Sequence, residues 1–252
     1  MKQGNWRRLV VRLASVCVWA IGSPALAIVG PAHEDGGFAA HVVMVLKRGV
    51  DRAGFCTGVV VAPQVVLTAA HCVTAIKDMR VHYRDAAGQP VIVEVGAVAV
   101  NPGFRADALA KRVASVDLAL VRTQTPLDAR FSAAALDETG AVAVGDPVQI
   151  VGYGVGSEGE GTSAGVLRSA ALQARAPLSK VLLWAEDPNG SGLGGCTGDS
   201  GGPILTGDGA KVLAITTWSA GVKGKRCGAI TQGPFIAPQR AWIDSVLDRW
   251  RP

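Results

Sequence analysis

The chain has 252 residues, 49% of them hydrophobic and only 5% aromatic, with 25 basic against 20 acidic side chains. Four of the basic residues and none of the acidic ones fall within the first 27 positions, so the remainder carries 21 against 20. A balance so near zero excludes nucleic acid and, once the first 27 residues are removed, a membrane surface as expected partners.

The chain opens on Lys2, Arg7, Arg8 and Arg12, continues through the apolar stretch Leu13 to Ile21, and reaches the small-x-small site Ala25-Leu26-Ala27. That is the layout of a signal peptide over residues 1–27. The apolar run is too short to span a bilayer, which disfavours the alternative of an uncleaved anchor. The expectation is a secreted or periplasmic protein, with a layout that suits bacterial export. Cys17 leaves with the leader, and Cys56, Cys72, Cys196 and Cys227 remain. An even cysteine count in an oxidising compartment predicts disulfides, with three pairings open. There is no CxxC, and the His71-Cys72 adjacency lacks the further ligands of a zinc site, so no metal and no other cofactor is expected.

Runs rich in apolar and β-branched residues predict strands at Ala40–Leu46, Thr57–Ala62, Val65–Thr68 and Val91–Val100, with a tight turn at Pro63-Gln64 pairing the second and third. Asp107 to Ser115 is polar and reads as loop or one helical turn. Asp117–Val121 predicts another strand, and Thr125 to Gly140 a crossover. Further strands are expected at Pro147–Gly152, Leu167–Arg175, Val181–Ala185, Pro203–Leu205 and Val212–Thr217. The Gly/Ser-rich stretch Gly154 to Gly165 reads as an exposed loop; it offers only Glu158 and Glu160, a weak basis for calcium. Many short strands with Gly-rich turns point to a barrel or sandwich rather than βαβ units. Ile243, Val246, Leu247 and Trp250 fall at i, i+3, i+4 and i+7, giving a C-terminal helix one apolar face.

Three segments carry chemistry. Residues 195–203 read GCTGDSGGP, placing Ser200 among glycines with Asp199 directly before it. Residues 68–72 read TAAHC, placing His71 after a strand, and residues 117–120 read DLAL, placing Asp117 at the head of one. Singly, each residue has a structural explanation: a buried histidine, a strand-end carboxylate, a turn serine. Jointly they resemble the trypsin/chymotrypsin-like serine proteases in motif, spacing and His–Asp–Ser order. Subtilisin-like enzymes and α/β-hydrolases order their triads differently, which opposes an esterase on the latter fold.

The resemblance covers nearly all of the chain after residue 27. It implies one protease domain over residues 28–252, an all-β fold of two six-stranded antiparallel barrels with the cleft between them, a crossover near 125–140 and a terminal α-helix. It further implies the disulfides Cys56–Cys72 and Cys196–Cys227, catalysis by His71, Asp117 and Ser200, an oxyanion hole from the N–H groups of Gly198 and Ser200, and an activating ion pair between Asp199 and a new amino terminus at Ile28. Since Ile28-Val29-Gly30 follows Ala27 at once, signal peptidase itself would create that terminus. The specificity pocket would have Gly194 as its floor and Thr217, Trp218, Ser219 and Pro234 as walls. With no acid at the floor, cleavage after Lys or Arg is not expected, and small or medium neutral side chains are. Lys223, Lys225 and Arg226 form either a solvated basic loop or a rim that favours acidic side chains. Polypeptide substrates and a monomer are expected, the alternative being a catalytically silent exported binding protein. His33, His41 and His82 are given no role.

Overall fold

The computed structural model describes residues 28–34, 37–49 and 53–251. The signal peptide expected over residues 1–27, Cys17 included, lies outside the described residues. In chain order the strands are β1 (His33–Glu34), β2 (Val42–Arg48), β3 (Ala53–Ala62), β4 (Val65–Thr68), β5 (Met79–Arg84), β6 (Pro90–Val100), β7 (Ala119–Thr123), β8 (Pro147–Gly152), β9 (Arg168–Ala174), β10 (Leu182–Glu186), β11 (Pro203–Thr206), β12 (Val212–Ile215), β13 (Trp218–Ala220) and β14 (Ile230–Pro234). Two α-helices accompany them, α1 (Ala108–Lys111) and α2 (Arg240–Arg249).

The first lobe is a closed barrel in the order β2-β3-β4-β7-β6-β5. Its hairpin turns at Pro63-Gln64, pairing Val59 with Leu67 and Val60 with Val66, so that β4 delivers the chain to His71. β5 escapes a search for apolar runs because it alternates: Met79, Val81 and Tyr83 are buried, while Arg80, His82 and Arg84 point outward. The period of two is itself a strand signal, carried there by polar residues.

The second lobe is a sheet in the order β12-β11-β8-β9-β10-β14-β13, with β1 added beside β9. An Ala214–Phe235 bridge and the Ile236 N–H to Leu213 carbonyl bond draw its ends together at β12 and β14. Trp218–Ala220 and Ile230–Pro234 are short and broken by glycine, proline and polar residues, so their strand character comes from pairing with each other and with β10. The architecture is the expected all-β one, with a closed six-stranded barrel and a terminal helix; the second lobe, expected as another six-stranded barrel, is an eight-stranded sheet.

Between β7 and β8 the chain straps the lobes. Leu127 and Ala134 donate backbone N–H bonds to Pro63 and Val60 of the first lobe, then Asp137 donates to Val212 of the second. Helix α2 buries Ile243 and Val246 completely in a core shared by Leu67 and Leu120 of one lobe and Leu205 and Ile215 of the other. Each such side chain contributes about 1.5–3 kcal/mol of burial, and together they hold the lobes in fixed register. No helix among the described residues is long and apolar enough to cross a membrane.

Candidate active site

β4 and β7 run antiparallel with Thr68 opposite Ala119, so the segment leaving β4 and the segment entering β7 meet at one end of the barrel. His71 lies in the 3-10 turn Ala70–Cys72 just after β4, and Asp117 two residues before β7. The imidazole Nδ1 is 2.7 Å from Asp117 Oδ2, and the His71 backbone N–H donates to Oδ1 at 2.9 Å. A carboxylate can only accept, so Nδ1 carries the proton and Nε2 presents its lone pair. The ring is partly exposed and the carboxylate more covered, with side-chain exposures of 36% and 16%.

Ser200 sits in the turn before β11. Its carbonyl accepts the Thr57 N–H at 2.8 Å and lies 3.9 Å from Sγ of Cys72, the residue after His71. A disulfide sulfur has no proton to donate, so the latter is a packing contact. Strand β3 and the Cys56–Cys72 bridge thereby bring Ser200, of the second lobe, to the histidine segment of the first. Gly198 has φ +97°, which L side chains rarely adopt, and a Cβ there would approach Phe55 Cε2 to 2.4 Å. In that conformation the N–H groups of Gly198 and Ser200 find no acceptor among the described residues, whereas the Asp199 N–H between them turns back to the Cys196 carbonyl. Unbonded N–H groups at and near a serine are able to stabilise an oxyanion.

Thr57 is a site residue that the sequence reading missed. Its hydroxyl donates to the Gly198 carbonyl at 2.9 Å and accepts the Tyr153 N–H at 3.0 Å, while its own carbonyl accepts the Thr68 hydroxyl at 2.8 Å. The available signal was a polar residue within a fully buried strand run, since such a hydroxyl must find partners.

Asp199 is buried. Its Oδ1 accepts the Gly154 N–H at 2.8 Å and its Oδ2 the Cys196 N–H at 2.9 Å. Gly154 must lack a side chain, because a Cβ there would lie 2.5 Å from the carboxyl. Burial raises the Asp199 pKa to about 7, against the opposing pull of the two N–H groups. Ile28 is fully buried among Ile150, Leu183 and Leu213, and Val29 forms a two-bond bridge with Gly194 at 3.2 Å. The Ile28-Val29 segment is thus docked in the second lobe.

Both expected disulfides, Cys56–Cys72 and Cys196–Cys227, are present. Cys56, His71 and Cys72 lie close enough to suggest a metal, but the bridge consumes both thiolates. His41 and His82 are accounted for structurally, with Nδ1 on the carbonyls of Ser132 and Val91.

Residues 28–238 match the family model described as Trypsin. The chain belongs to the trypsin family. A vitellin-degrading protease of Bombyx mori is 27% identical over 236 residues, covering 84% of this chain and 83% of that protein. A trypsin of Saccharopolyspora erythraea is 27% identical over 234 residues, covering 86% and 96%. The family rests on that model, and similar proteins from an insect and a bacterium do not single out a bacterial-type subgroup. Among solved structures, the scabies mite inactivated protease paralogue S-I1 has a TM-score of 0.69 at 19% identity, over 86% of this chain and 99% of its own. Family membership supports proteolysis as the activity and polypeptides as the substrates; the likeness to the solved structure is one of fold.

For this trypsin-family chain the expected pocket residues fall as follows. Gly194 is buried, and its backbone is committed to Val29. The Gly195 N–H donates to Thr231 Oγ1 at 3.0 Å, so a fully buried threonine, not an acid, backs this region; the sequence reading did not single it out. Thr217 bonds to the Gln232 carbonyl, Trp218 packs edge-on to Trp184 at 6.0 Å, and Ser219 donates to the Arg226 carbonyl. Pro234 stands opposite Leu182 of β10. Arg226 is tied to Glu158 through its backbone N–H at 3.1 Å and its guanidinium at 3.3 Å, so this part of the basic loop is held against the Gly154–Gly165 loop.

Proposed function

We propose that this protein is a secreted serine endopeptidase working through His71, Asp117 and Ser200. The observation that carries the reading is the 2.7 Å His71–Asp117 contact together with the unbonded N–H groups at and near Ser200. Ser200 Oγ attacks the scissile carbonyl as His71 Nε2 takes its proton, and the carbonyl oxygen becomes an anion held by Gly198 and Ser200 N–H. His71 then returns the proton to the leaving amine, giving an acyl-enzyme and a free peptide. Water, deprotonated by the same nitrogen, attacks the acyl carbonyl, and His71 passes that proton to Ser200 Oγ as the acyl half leaves. Asp117 holds the imidazole orientation and stabilises the imidazolium.

Cleavage before Ile28 converts its amide into an ammonium able to pair with buried Asp199. Pairing offsets the cost of holding that carboxylate unpartnered, about 3–5 kcal/mol, and locks the oxyanion loop that Asp199 belongs to. The leader pattern and the two disulfides support export to an oxidising compartment. Gly194 and Thr231 support a preference for small or medium neutral side chains on the acyl side; a peptide-library digest showing strict cleavage after Lys or Arg would overturn it.

The test of the central reading is covalent labelling by an organophosphonate, which only an activated serine undergoes. Labelling at Ser200, absent in Ser200→Ala, is the expected result. A protein beginning at Ile28 that resists labelling is instead a silent binding member of the family.

A further inference from the structure

Lys47 occupies an interior position of the first barrel. It follows Val43 and Val45 at the period of two, and those two are fully buried. At the barrel mouth its stem is half-buried, and Nζ donates to the His71 carbonyl at 3.0 Å. No carboxylate of the described residues forms an ion pair with it. The charged and titratable neighbours are Asp117, whose field favours the ammonium, and His71 itself. Burial nevertheless holds the Lys47 pKa below the usual lysine range. An ammonium that is partly desolvated, with donors to spare and no ion-pair partner among the described residues, is poised to accept one.

Its place in the cleft says where the counter-ion comes from. Lys47 pairs across the sheet with Gly54, whose missing side chain leaves the lysine stem uncovered; a Cβ there would be 3.8 Å from Cε. The next residue, Phe55, packs on Gly198, and Cys56 is bridged to Cys72. Phe55 thereby borders the Gly198–Ser200 turn from the first lobe. A peptide whose cleaved carbonyl sits at that turn, with its acyl half on the second lobe, would leave its departing half on the first-lobe side, where Phe55, Gly54 and Lys47 lie. We propose that Lys47 selects substrates with an aspartate or glutamate in the first residues after the cleaved bond, by pairing with that carboxylate. This rests on the proteolytic reading above and adds a substrate class to it.

The experiment uses the protein beginning at Ile28 and fluorogenic peptides with one common acyl half. Each of the first three positions after the cleaved bond is Glu, Gln or Lys in turn. The expected result is a kcat/KM higher for Glu than for Gln by about 2- to 5-fold at one position, as for a partly exposed ion pair. The ratio should fall toward one in Lys47→Gln and invert toward Lys-bearing peptides in Lys47→Glu. A labelled, active enzyme without a Glu preference overturns this proposal alone. So does a Lys47→Gln variant that slows Glu and Gln peptides equally, since Lys47 would then only tie down the His71 carbonyl. A protein that cleaves nothing and resists labelling overturns the proteolytic reading and this proposal with it.

Discussion

The Thr57 hydroxyl and the Gly198 carbonyl, 141 residues apart in sequence, meet at 2.9 Å in the interior. Through that contact the first barrel holds the peptide unit following Gly198 in place. Thr57→Val keeps the shape but strands two buried groups, the Gly198 carbonyl and the Tyr153 N–H, each at about 1–3 kcal/mol. We expect a stability loss of about 2–4 kcal/mol in urea unfolding, with a fall in kcat larger than any rise in KM. Thr57→Ser, which retains the hydroxyl, should recover most of both. Equal behaviour of the two variants would show that the hydroxyl holds nothing.

Asp117 grips His71 at both the ring and the backbone N–H. Asp117→Asn offers an amide that can donate where the carboxylate only accepts, favouring the wrong imidazole tautomer. We expect kcat to drop about 10⁴-fold with the fold intact, read by active-site titration beside circular dichroism. A loss under tenfold would separate Asp117 from the chemistry.

Asp199 gives a pH test of activation. In the chain with residues 1–27 still attached, burial lifts its pKa from 3.8 to about 7. The folded state then binds the proton more tightly than the unfolded state, so stability is fully present below about pH 4 and declines as pH rises to about 7. The expected cost above pH 7 is about 4 kcal/mol relative to pH 4, from this group alone. Asp199→Asn in the uncleaved chain should flatten the profile, and cleavage before Ile28 should remove the decline by supplying an ammonium. Denaturant midpoints at pH 5 and pH 8 for the three proteins check this; parallel profiles would rule out an unpaired carboxylate.

The two bridges should fail differently. Their half-cystines are 16 and 31 residues apart, so removal of Cys56–Cys72 or Cys196–Cys227 costs about 3 and 4 kcal/mol by loop entropy. The Cys196 N–H also holds Asp199 Oδ2. Cys196→Ala with Cys227→Ala should therefore depress organophosphonate labelling at temperatures where the protein remains folded. Labelling at the unaltered rate would uncouple that bridge from the oxyanion loop.

Several features were legible because they depend on residues near one another in the chain. The Pro63-Gln64 hairpin, the apolar face of α2 and the motifs bearing His71, Asp117 and Ser200 are local patterns of turn chemistry, periodicity and residue type. Identity within those motifs also carried the family and, by resemblance, both disulfides. Strand β5 was hidden because its outward residues are charged, and β13 and β14 because neither has a strand's composition without its neighbour. Thr57, Thr231 and Lys47 were hidden for a different reason. A hydroxyl or an ammonium acquires its role from whatever acceptor the returning chain places beside it, and the Gly198 carbonyl, the Gly195 N–H and the His71 carbonyl are chosen only when the two lobes close. Sequence alone determined which reactive groups this protein owns; the packing of one lobe on the other decided which backbone groups hold them, because those bonds form between segments that meet only in the folded chain.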